Sequence, residues 1–520
     1  MKQFIERYTS FLKVGMVGAV GTGIQALILV FLVEFLYLHP AIANTIAAEA
    51  AIISNFILNN LWTFKNRSIH ALPKRFVMFN VSALGSVSIQ AIVVWAGVVF
   101  FGHSLYLLYA VVGIGIGWVV NYLLYSRFVW RRPLHKDKTI STLYYIANAR
   151  MPTEKAHGIQ IAKMCEAFLE AGVNLVLVLP RRGSPGKSIK DFYGLRKDIP
   201  TVTLPVIDLH NKGPFWYHVS SYSFIISYFF YILLCVDKKH SVIYTVDLDR
   251  FSYRALSYLG VPFFSEMHGG KPSNVLHRKF FSKASGIIPT NYITKQELQE
   301  KFHMPEEKFL VEPNGVDLSS FAPFSKEEAR EQLGVSKDSA LVLYVGRIFD
   351  WKGLDILTEA APLLPESVTL GMVGGVAEEY ERIAGHKPNP RIQFFGSQPY
   401  ARIPLWIAAA DVLLVLGTKR DEQSYHYTSP MKVFEYMASK RPIVASKTPA
   451  LMDVLDPQAC YFYEPDNAES LAHTIEEALN DNGQEMRIEV AYKIVQKYTW
   501  NLRAQRIRTF MNQLLKDRSI

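Results

Sequence analysis

The sequence predicts two architectures in one chain: an α-helical membrane bundle of four transmembrane helices, then an α/β fold of two doubly wound lobes. Three observations carry this. Nearly all the excess hydropathy lies before residue 130, in runs free or almost free of charge. Beyond residue 142, short apolar strands alternate with helices, which is the pattern of parallel sheets covered on both faces. Residues 428–446, TSPMKVFEYMASKRPIVAS, read as a helix start leading into a buried strand.

The membrane bundle comes first. Val14 to Val33 is a run of 20 residues without Asp, Glu, Lys or Arg, long enough to cross about 30 Å of hydrocarbon. Pro40 to Phe64 carries one charge, Glu49. Phe76 to Ser126 has none across 51 residues. One helix of that length would reach roughly 75 Å, so two spans must break at Gly102-His103-Ser104. Lys2, Arg7 and Lys13 precede the first span, and Lys65, Arg67, Lys74 and Arg75 lie between the second and third. Arg127, Arg131 and Arg132 follow the fourth. The positive-inside rule therefore places both termini, and everything after residue 132, in the cytoplasm.

The first 132 residues also repeat at an offset of 65, with Phe11…Ile24-Gln25-Ala26 matching Phe76…Ile89-Gln90-Ala91. Gly15, Gly18, Gly21, Gly113, Gly115 and Gly117 would let helices approach closely. Glu49 lies near mid-bilayer, where a carboxylate is expensive, so it is expected to face the bundle or be protonated. Either it handles a polar headgroup or it is a hydrogen-bonded structural acid. Asn55, Asn59, Gln25, Gln90 and Asn121 are expected to knit the helices together.

The segments FLKVGMVGAVGTGIQ, NFILNNLWTFKNR and NYLLYSRFVW resemble the GtrA-like family of small four-helix membrane proteins. The resemblance implies a part in surface polysaccharide assembly, with movement of polyprenyl-phosphate-linked sugars. Glu49, Asn55 and Asn121 are the headgroup candidates. Asn59-Asn60 and Tyr125-Ser126 depart from an Asn-Arg pair often seen at these places.

The net charge of +10 suits an anionic partner. Its Lys and Arg flank the apolar runs, which points to phospholipid before nucleic acid. Cys165, Cys235 and Cys460 are scattered without ligand spacing and read as reduced cytoplasmic thiols.

Residues 133–141 are a short polar linker, 142–322 the first lobe and 323–520 the second. Expected strands in the first lobe begin near Leu143, Asn174, Val242, Phe263 and Gly286. Ligands gather at the carboxyl ends of such strands. Lys155-Ala156-His157-Gly158 sets a glycine before a helix, either for phosphate or sugar approach or as a plain turn. His268, in Glu266-Met267-His268-Gly269-Gly270, would expose an imidazole to a substrate. Asp247-Leu248-Asp249 has the form of a metal clamp, but the two-lobed layout argues for a metal-free design. Phe215 to Val236 reads as an interfacial helix, a buried helix or a fifth span.

In the second lobe, strands are expected near Ala340, Val368, Ile392, Asp411 and Ile443, and the final helix from Trp500 packs back across the lobes. Arg347, after Gly346, and Lys352 flank the end of one strand, where two cations would neutralise a diphosphate. Thr428 and Ser429 are expected to cap a helix whose first position is Pro430. Glu435, just over one turn in, would accept hydrogen bonds from sugar hydroxyls.

GRIFDWKG, NPRIQFFGS, AADVLLVL and SPMKVFEYMASKRPIVAS, in that order, resemble glycosyltransferase family 4 over about residues 142–515. The resemblance implies a GT-B fold of two Rossmann-like lobes and transfer from a nucleotide-sugar donor with retention, without metal or other cofactor. Carried over by position, Arg347 and Lys352 hold the diphosphate, Glu435 holds the ribose and His268 lies in the reaction cleft. Gly158, Gly346, Ser429, Pro430, Met431 and Lys432 complete the donor contacts. Where the family often has a further Glu, this chain has Tyr427.

The reading is a multi-pass inner-membrane glycosyltransferase with a cytoplasmic catalytic part and a polyprenyl-phosphate or lipid-linked glycan acceptor. The alternatives are a lipid-sugar transporter whose soluble lobes bind or deliver substrate, and another two-lobed enzyme such as a nucleotide-sugar epimerase.

Overall fold

The computed structural model describes residues 2–64, 72–130, 141–183, 186, 188–209, 212–249, 251–321, 324–428 and 430–515. Lys65, Arg67, Arg131, Arg132, the linker residues 133–140 and Ser429 lie outside the described residues, as do the side chains of Lys2, Arg7, Lys74, Gln90 and Arg127. The chain divides into two compact units: Met1–Lys138 with Leu233–Val236, and Thr139–Ile232 with Asp237–Ile520.

The first unit is helical: α1 (Lys2–Val30), α2 (Pro40–Leu58), α3 (Leu72–Phe101) and α4 (Tyr106–Leu124). Gly102, at φ +86°, takes the left-handed turn between α3 and α4 that an L side chain resists. Thr9–Phe35 and Ile42–Thr63 are the stretches long and apolar enough to cross a membrane among the described residues; α3 and α4 contain shorter apolar stretches, Ile92–Phe101 and Val111–Leu124. Leu27, Val30, Ile46, Ile92 and Val111 turn outward, so the unit presents an apolar surface.

Close approaches hold it together. Trp118 stacks on Phe11 at 4.3 Å, its Nε1 donates to the Phe11 carbonyl at 3.2 Å, and a Cβ on Gly15 would lie 2.9 Å from its ring. Gly21 leaves room for the Asn55 amide, whereas Gly18 and Gly115 have nothing within 4 Å.

Glu49 corrects one expectation. It is exposed on α2, because Ala43, Ala47 and Ala51 take the inward face. Glu49 stands two residues, about 200°, from both Ala47 and Ala51. Among the described residues no hydrogen bond joins Glu49 to Asn55 or Asn121.

The second unit contains two six-stranded parallel sheets. In the first, β1 (Thr142–Ile146), β2 (Leu175–Pro180), β3 (Thr201–Leu204), β4 (Ser241–Val246), β5 (Phe263–Met267) and β6 (Gly286–Pro289) lie in the order β3-β2-β1-β4-β5-β6. In the second, β7 (Ala340–Val345), β8 (Val368–Val373), β9 (Ile392–Phe394), β10 (Val412–Val415), β11 (Ile443–Ser446) and β12 (Tyr461–Tyr463) lie in the order β12-β11-β10-β7-β8-β9. Each order reverses beside its first strand, and the crevice at such a switch point is where doubly wound sheets bind ligands. In the second sheet that crevice opens beyond β7 and β10.

Helix α5 (Ala156–Glu170) buries Ile161, Met164, Ala167 and Phe168 against the first sheet. The final helix, Trp500–Leu514, returns to the same core through Ala504, Ile507, Phe510 and Met511. Pro214–Cys235 is one helix, and it docks lengthwise on the first lobe. Ser220, Ser221, Phe224, Tyr228 and Ile232 are buried, while Phe215, Tyr222, Ile226 and Phe230 stay exposed. The Tyr228 hydroxyl donates to the Ser252 carbonyl at 2.6 Å, so the span reading fails: one face of this helix is committed to protein.

Candidate functional site

Strand β7 is entirely buried after its first residue and delivers Gly346 and Arg347 to its carboxyl end. A short turn, Asp350–Lys352, closes on Gly353 at φ +66°, where a Cβ would also press within 2.8 Å of Thr418. This turn folds Lys352 back, and its Nζ donates to the Arg347 carbonyl at 3.0 Å. Both cations share the face of Phe349, Arg347 at 5.2 Å and Lys352 at 5.0 Å from the ring centre. Burial, and then the neighbouring Arg347, lower the Lys352 ammonium to about 8.

The helix Met431–Ala438 starts opposite this turn. Pro430 is its N-cap and not its first residue, with an extended backbone at φ −73° and ψ 130°. Among the described residues no side chain caps it, and the Thr428 hydroxyl is spent on the Gln423 carbonyl at 2.6 Å. The first N–H groups therefore remain unpaired by a capping side chain.

From this first turn Lys432 projects toward Gly346. Its Nζ is buried without a hydrogen-bond partner among the described residues, stands 3.8 Å from the Tyr344 ring centre and lies 3.4 Å from where a Cβ of Gly346 would be. Burial, and next the Lys352 charge, push it well below the ordinary lysine range.

Lys432 thus stands beside Gly346 while Lys352 folds onto Arg347, the next residue, and among the described residues no carboxylate forms an ion pair with any of the three. Unpaired cations repel and are costly to desolvate. Grouped at a sheet switch point beside a helix start, they suit an anion with several oxygens.

Glu435 lies one turn further on. It is buried and accepts a hydrogen bond from the Tyr400 hydroxyl at 3.1 Å. Burial raises its carboxyl to about 7 against the opposing pull of Tyr400 and Lys432. Tyr400 packs against the cores of both lobes, and Met431 packs against the first-lobe core.

The first lobe faces this group with the first turn of α5. His157 is lowered to about 4 by burial, then by Lys155 and by Arg347 of the opposite lobe. Gly158 is buried, and a Cβ there would run into the Tyr193 hydroxyl and the Thr153 methyl. Packing inside the lobe accounts for that glycine.

His268 follows β5 with its ring 31% exposed, its N–H donating to Asp247 at 3.1 Å. Asp247 also pairs with Lys271, and Asp249 accepts from Asn148 at 2.6 Å and from the Phe251 and Ser252 amides. The two carboxylates of the Asp-x-Asp segment are therefore engaged separately.

Tyr427 reaches across the lobes, donating its hydroxyl to Glu297 at 2.7 Å. Asn291 donates to the Tyr427 carbonyl at 3.1 Å, and the Tyr292 amide to Asp453 at 3.0 Å. From sequence, Lys432 was placed among the donor contacts without a role of its own, and His157, Tyr400 and Glu297 were not singled out. For Lys432 a signal existed, since it stands three residues before Glu435 in the first turn.

Residues 325–494 match the family model described as glycosyl transferases group 1, and residues 13–130 match GtrA/DPMS, transmembrane domain. The chain joins a GtrA/DPMS membrane domain to a glycosyl transferases group 1 domain. D-inositol 3-phosphate glycosyltransferase of Xylanimonas cellulosilytica is 29% identical over 186 residues, 33% of this chain and 43% of that protein. Putative teichuronic acid biosynthesis glycosyltransferase TuaC of Bacillus subtilis is 27% identical over 229 residues, 41% of this chain and 54% of that protein. The chain thus spans about half the length of the curated relatives it matches.

Among solved structures, Anabaena Alr3699/HepE in complex with UDP-glucose aligns with 72% of this chain and 100% of that one, at TM-score 0.54 and 18% identity. That likeness shows the GT-B-like two-lobed fold. The group 1 match covers the lobe that carries Arg347, Lys352, Lys432 and Glu435.

Proposed function

We propose that this chain is a membrane-anchored glycosyltransferase. It transfers a sugar from a nucleotide-sugar donor to a lipid-linked or surface-glycan acceptor at the inner leaflet. One observation carries the reading: Lys432, buried and without a hydrogen-bond partner among the described residues, stands beside Gly346, while Lys352 folds onto Arg347, the next residue. In the transfer, the bond between the sugar's anomeric carbon and the diphosphate breaks, and a bond to the acceptor hydroxyl forms. The acceptor's proton leaves, and negative charge gathers on the diphosphate. The three cations and the helix start at Pro430 stabilise that charge, and Glu435 takes the ribose hydroxyls. Retention without metal follows from the family resemblance, and the separate engagement of Asp247 and Asp249 agrees with it.

The donor class draws support from the UDP-glucose complex of the Anabaena protein, and the acceptor class from the teichuronic acid relative. Four crossings with cytoplasmic termini follow from the Lys and Arg flanking the apolar runs. The exposed aromatic face of Pro214–Cys235 suits a helix lying on lipid. Purified full-length chain, offered a panel of nucleotide sugars with membrane lipids, tests the reading. Lys352→Ala should lower transfer at least about 100-fold; unchanged turnover would overturn it.

One further observation favours a second role for the membrane domain. Oδ1 of Asn55, Asn59 and Asn121 and Oγ1 of Thr63 are buried without partners among the described residues. Such atoms in a membrane domain suit a polar headgroup in passage. Flipping of a fluorescent polyprenyl-phosphate sugar in vesicles bearing the full chain should fall with Asn55→Leu and Asn121→Leu. No change would remove the transport role.

A further inference from the structure

Arg503, on the final helix, enters the first lobe fully buried. Its Nη2 pairs with Oε1 of Glu266 at 2.9 Å, and its other contacts are the Pro313 carbonyl at 2.7 Å, the Glu312 carbonyl at 3.2 Å and Met164 Sδ at 3.0 Å. Glu266 closes β5 and is also fully buried. Its Oε2 accepts from the Tyr244 hydroxyl at 2.6 Å. Its Oε1 accepts from the Gln160 amide and lies 3.0 Å from Nε2 of His268.

Nε2 of His268 also lies 3.1 Å from the Gln160 amide nitrogen, which is already given to Oε1 of Glu266. The ionised carboxylate only accepts, so Nε2 of His268 carries the hydrogen in the Glu266 contact. Burial alone would raise Glu266, yet Arg503, His268 and Tyr244 outweigh it and hold the carboxyl down to about 2. The remaining ring nitrogen, Nδ1, has no protein partner among the described residues. The next residue, Gly269, lies against the opposite lobe, where a Cβ would be 3.6 Å from Gln423 and Tyr427. The ring thus stands at the boundary between the lobes.

We propose that Glu266 and Arg503 are positioning residues for His268, holding its Nε2–H tautomer so that Nδ1 presents a lone pair to the ligand in the cleft. The final helix thereby becomes part of the reaction centre. This rests on the glycosyltransferase reading above. Ion pairing that merely ties the helix to the lobe would need no histidine; here the imidazole shares the oxygen to which Arg503 is paired. The charged and titratable groups around the ring are Glu266, Asp247, Lys271, Tyr244 and Arg503 in its own lobe, with Glu297 and Tyr427 behind Gly269-Gly270.

The test is a double-mutant cycle on the full chain in detergent, with transfer from a panel of UDP- and GDP-sugars followed across pH. Glu266→Gln should slow transfer at least about 10-fold in the native background and less than about 2-fold in a His268→Ala background. Equal losses in both backgrounds would assign the pair to folding alone and overturn the proposal. In the native background, Glu266→Gln should move the acid limb of the rate profile to lower pH by about one unit, because the imidazolium loses its counter-charge. Arg503→Met should move it the other way. Should both variants fold poorly, Tyr244→Phe, which withdraws one hydrogen bond from Glu266, should raise the acid limb slightly. A profile superimposed on the native one would count against the proposal. Additive losses alongside an inactive Lys352→Ala variant overturn only this inference; an active Lys352→Ala variant overturns the parent reading.

Discussion

Lys432 holds its ammonium 3.8 Å from the centre of the Tyr344 ring, with no oxygen of the described residues to receive its hydrogens. A cation–π contact of this kind offsets only part of the desolvation of a buried charge. Lys432→Met should therefore stabilise the ligand-free chain by about 1–3 kcal/mol while weakening nucleotide-sugar binding 10- to 100-fold. Thermal unfolding and calorimetric titration check the two halves. A variant that loses stability and keeps its affinity would show that Lys432 serves the fold.

Glu435 gives a pH signature. Its folded value of about 7 lies above the ordinary 4.5 of a glutamate. Between those values the native state keeps a proton that the unfolded chain has released. The resulting stabilisation is complete below about pH 4.5 and is lost as pH rises through 7. At about 1.4 kcal/mol per unit the effect is on the order of 3 kcal/mol. Unfolding followed at pH 5 and pH 8 should show this slope in the native chain, and Glu435→Gln should flatten it.

Tyr427 joins the lobes through Glu297 at 2.7 Å. Tyr427→Phe deletes a hydrogen bond to a charged group and should weaken this contact between the lobes by about 1–3 kcal/mol. Hydrogen exchange should then accelerate in residues 423–427 and 291–301 together. Acceleration confined to one of the two segments would deny the clasp.

The proposed topology, four crossings with cytoplasmic termini, makes a labelling prediction. In cells carrying a chain freed of its native cysteines, Ser104→Cys should react with an impermeant maleimide from outside. Ser188→Cys, exposed in the first lobe, should react only after lysis. Labelling of both from the same side would refute the topology.

Strand positions were legible wherever a strand is buried on both faces. β2 and β7 are nearly continuous apolar runs, and β1, β4 and β5 carry apolar stretches between a few polar residues, so hydropathy finds them. β3 and β12 were not: β3 alternates exposed threonines with Val202 and Leu204, and β12 is three aromatic residues long. Glu49 shows a limit of another kind. Its run places it in a membrane helix, but only the inward seating of Ala43, Ala47 and Ala51 decides which way it faces.

By itself the sequence determined the two-part architecture, the helix break at Gly102, and Arg347, Lys352 and Glu435 as candidates. Charge-free runs, strand–helix alternation and helix starts are written in neighbouring residues. The tertiary structure alone decided that Lys432 stands beside Gly346 while Lys352 folds onto Arg347, that Tyr427 meets Glu297, and that Arg503 stands behind His268. Those relations depend on which distant groups share a desolvated space, and desolvation is a property of packing that no local pattern records.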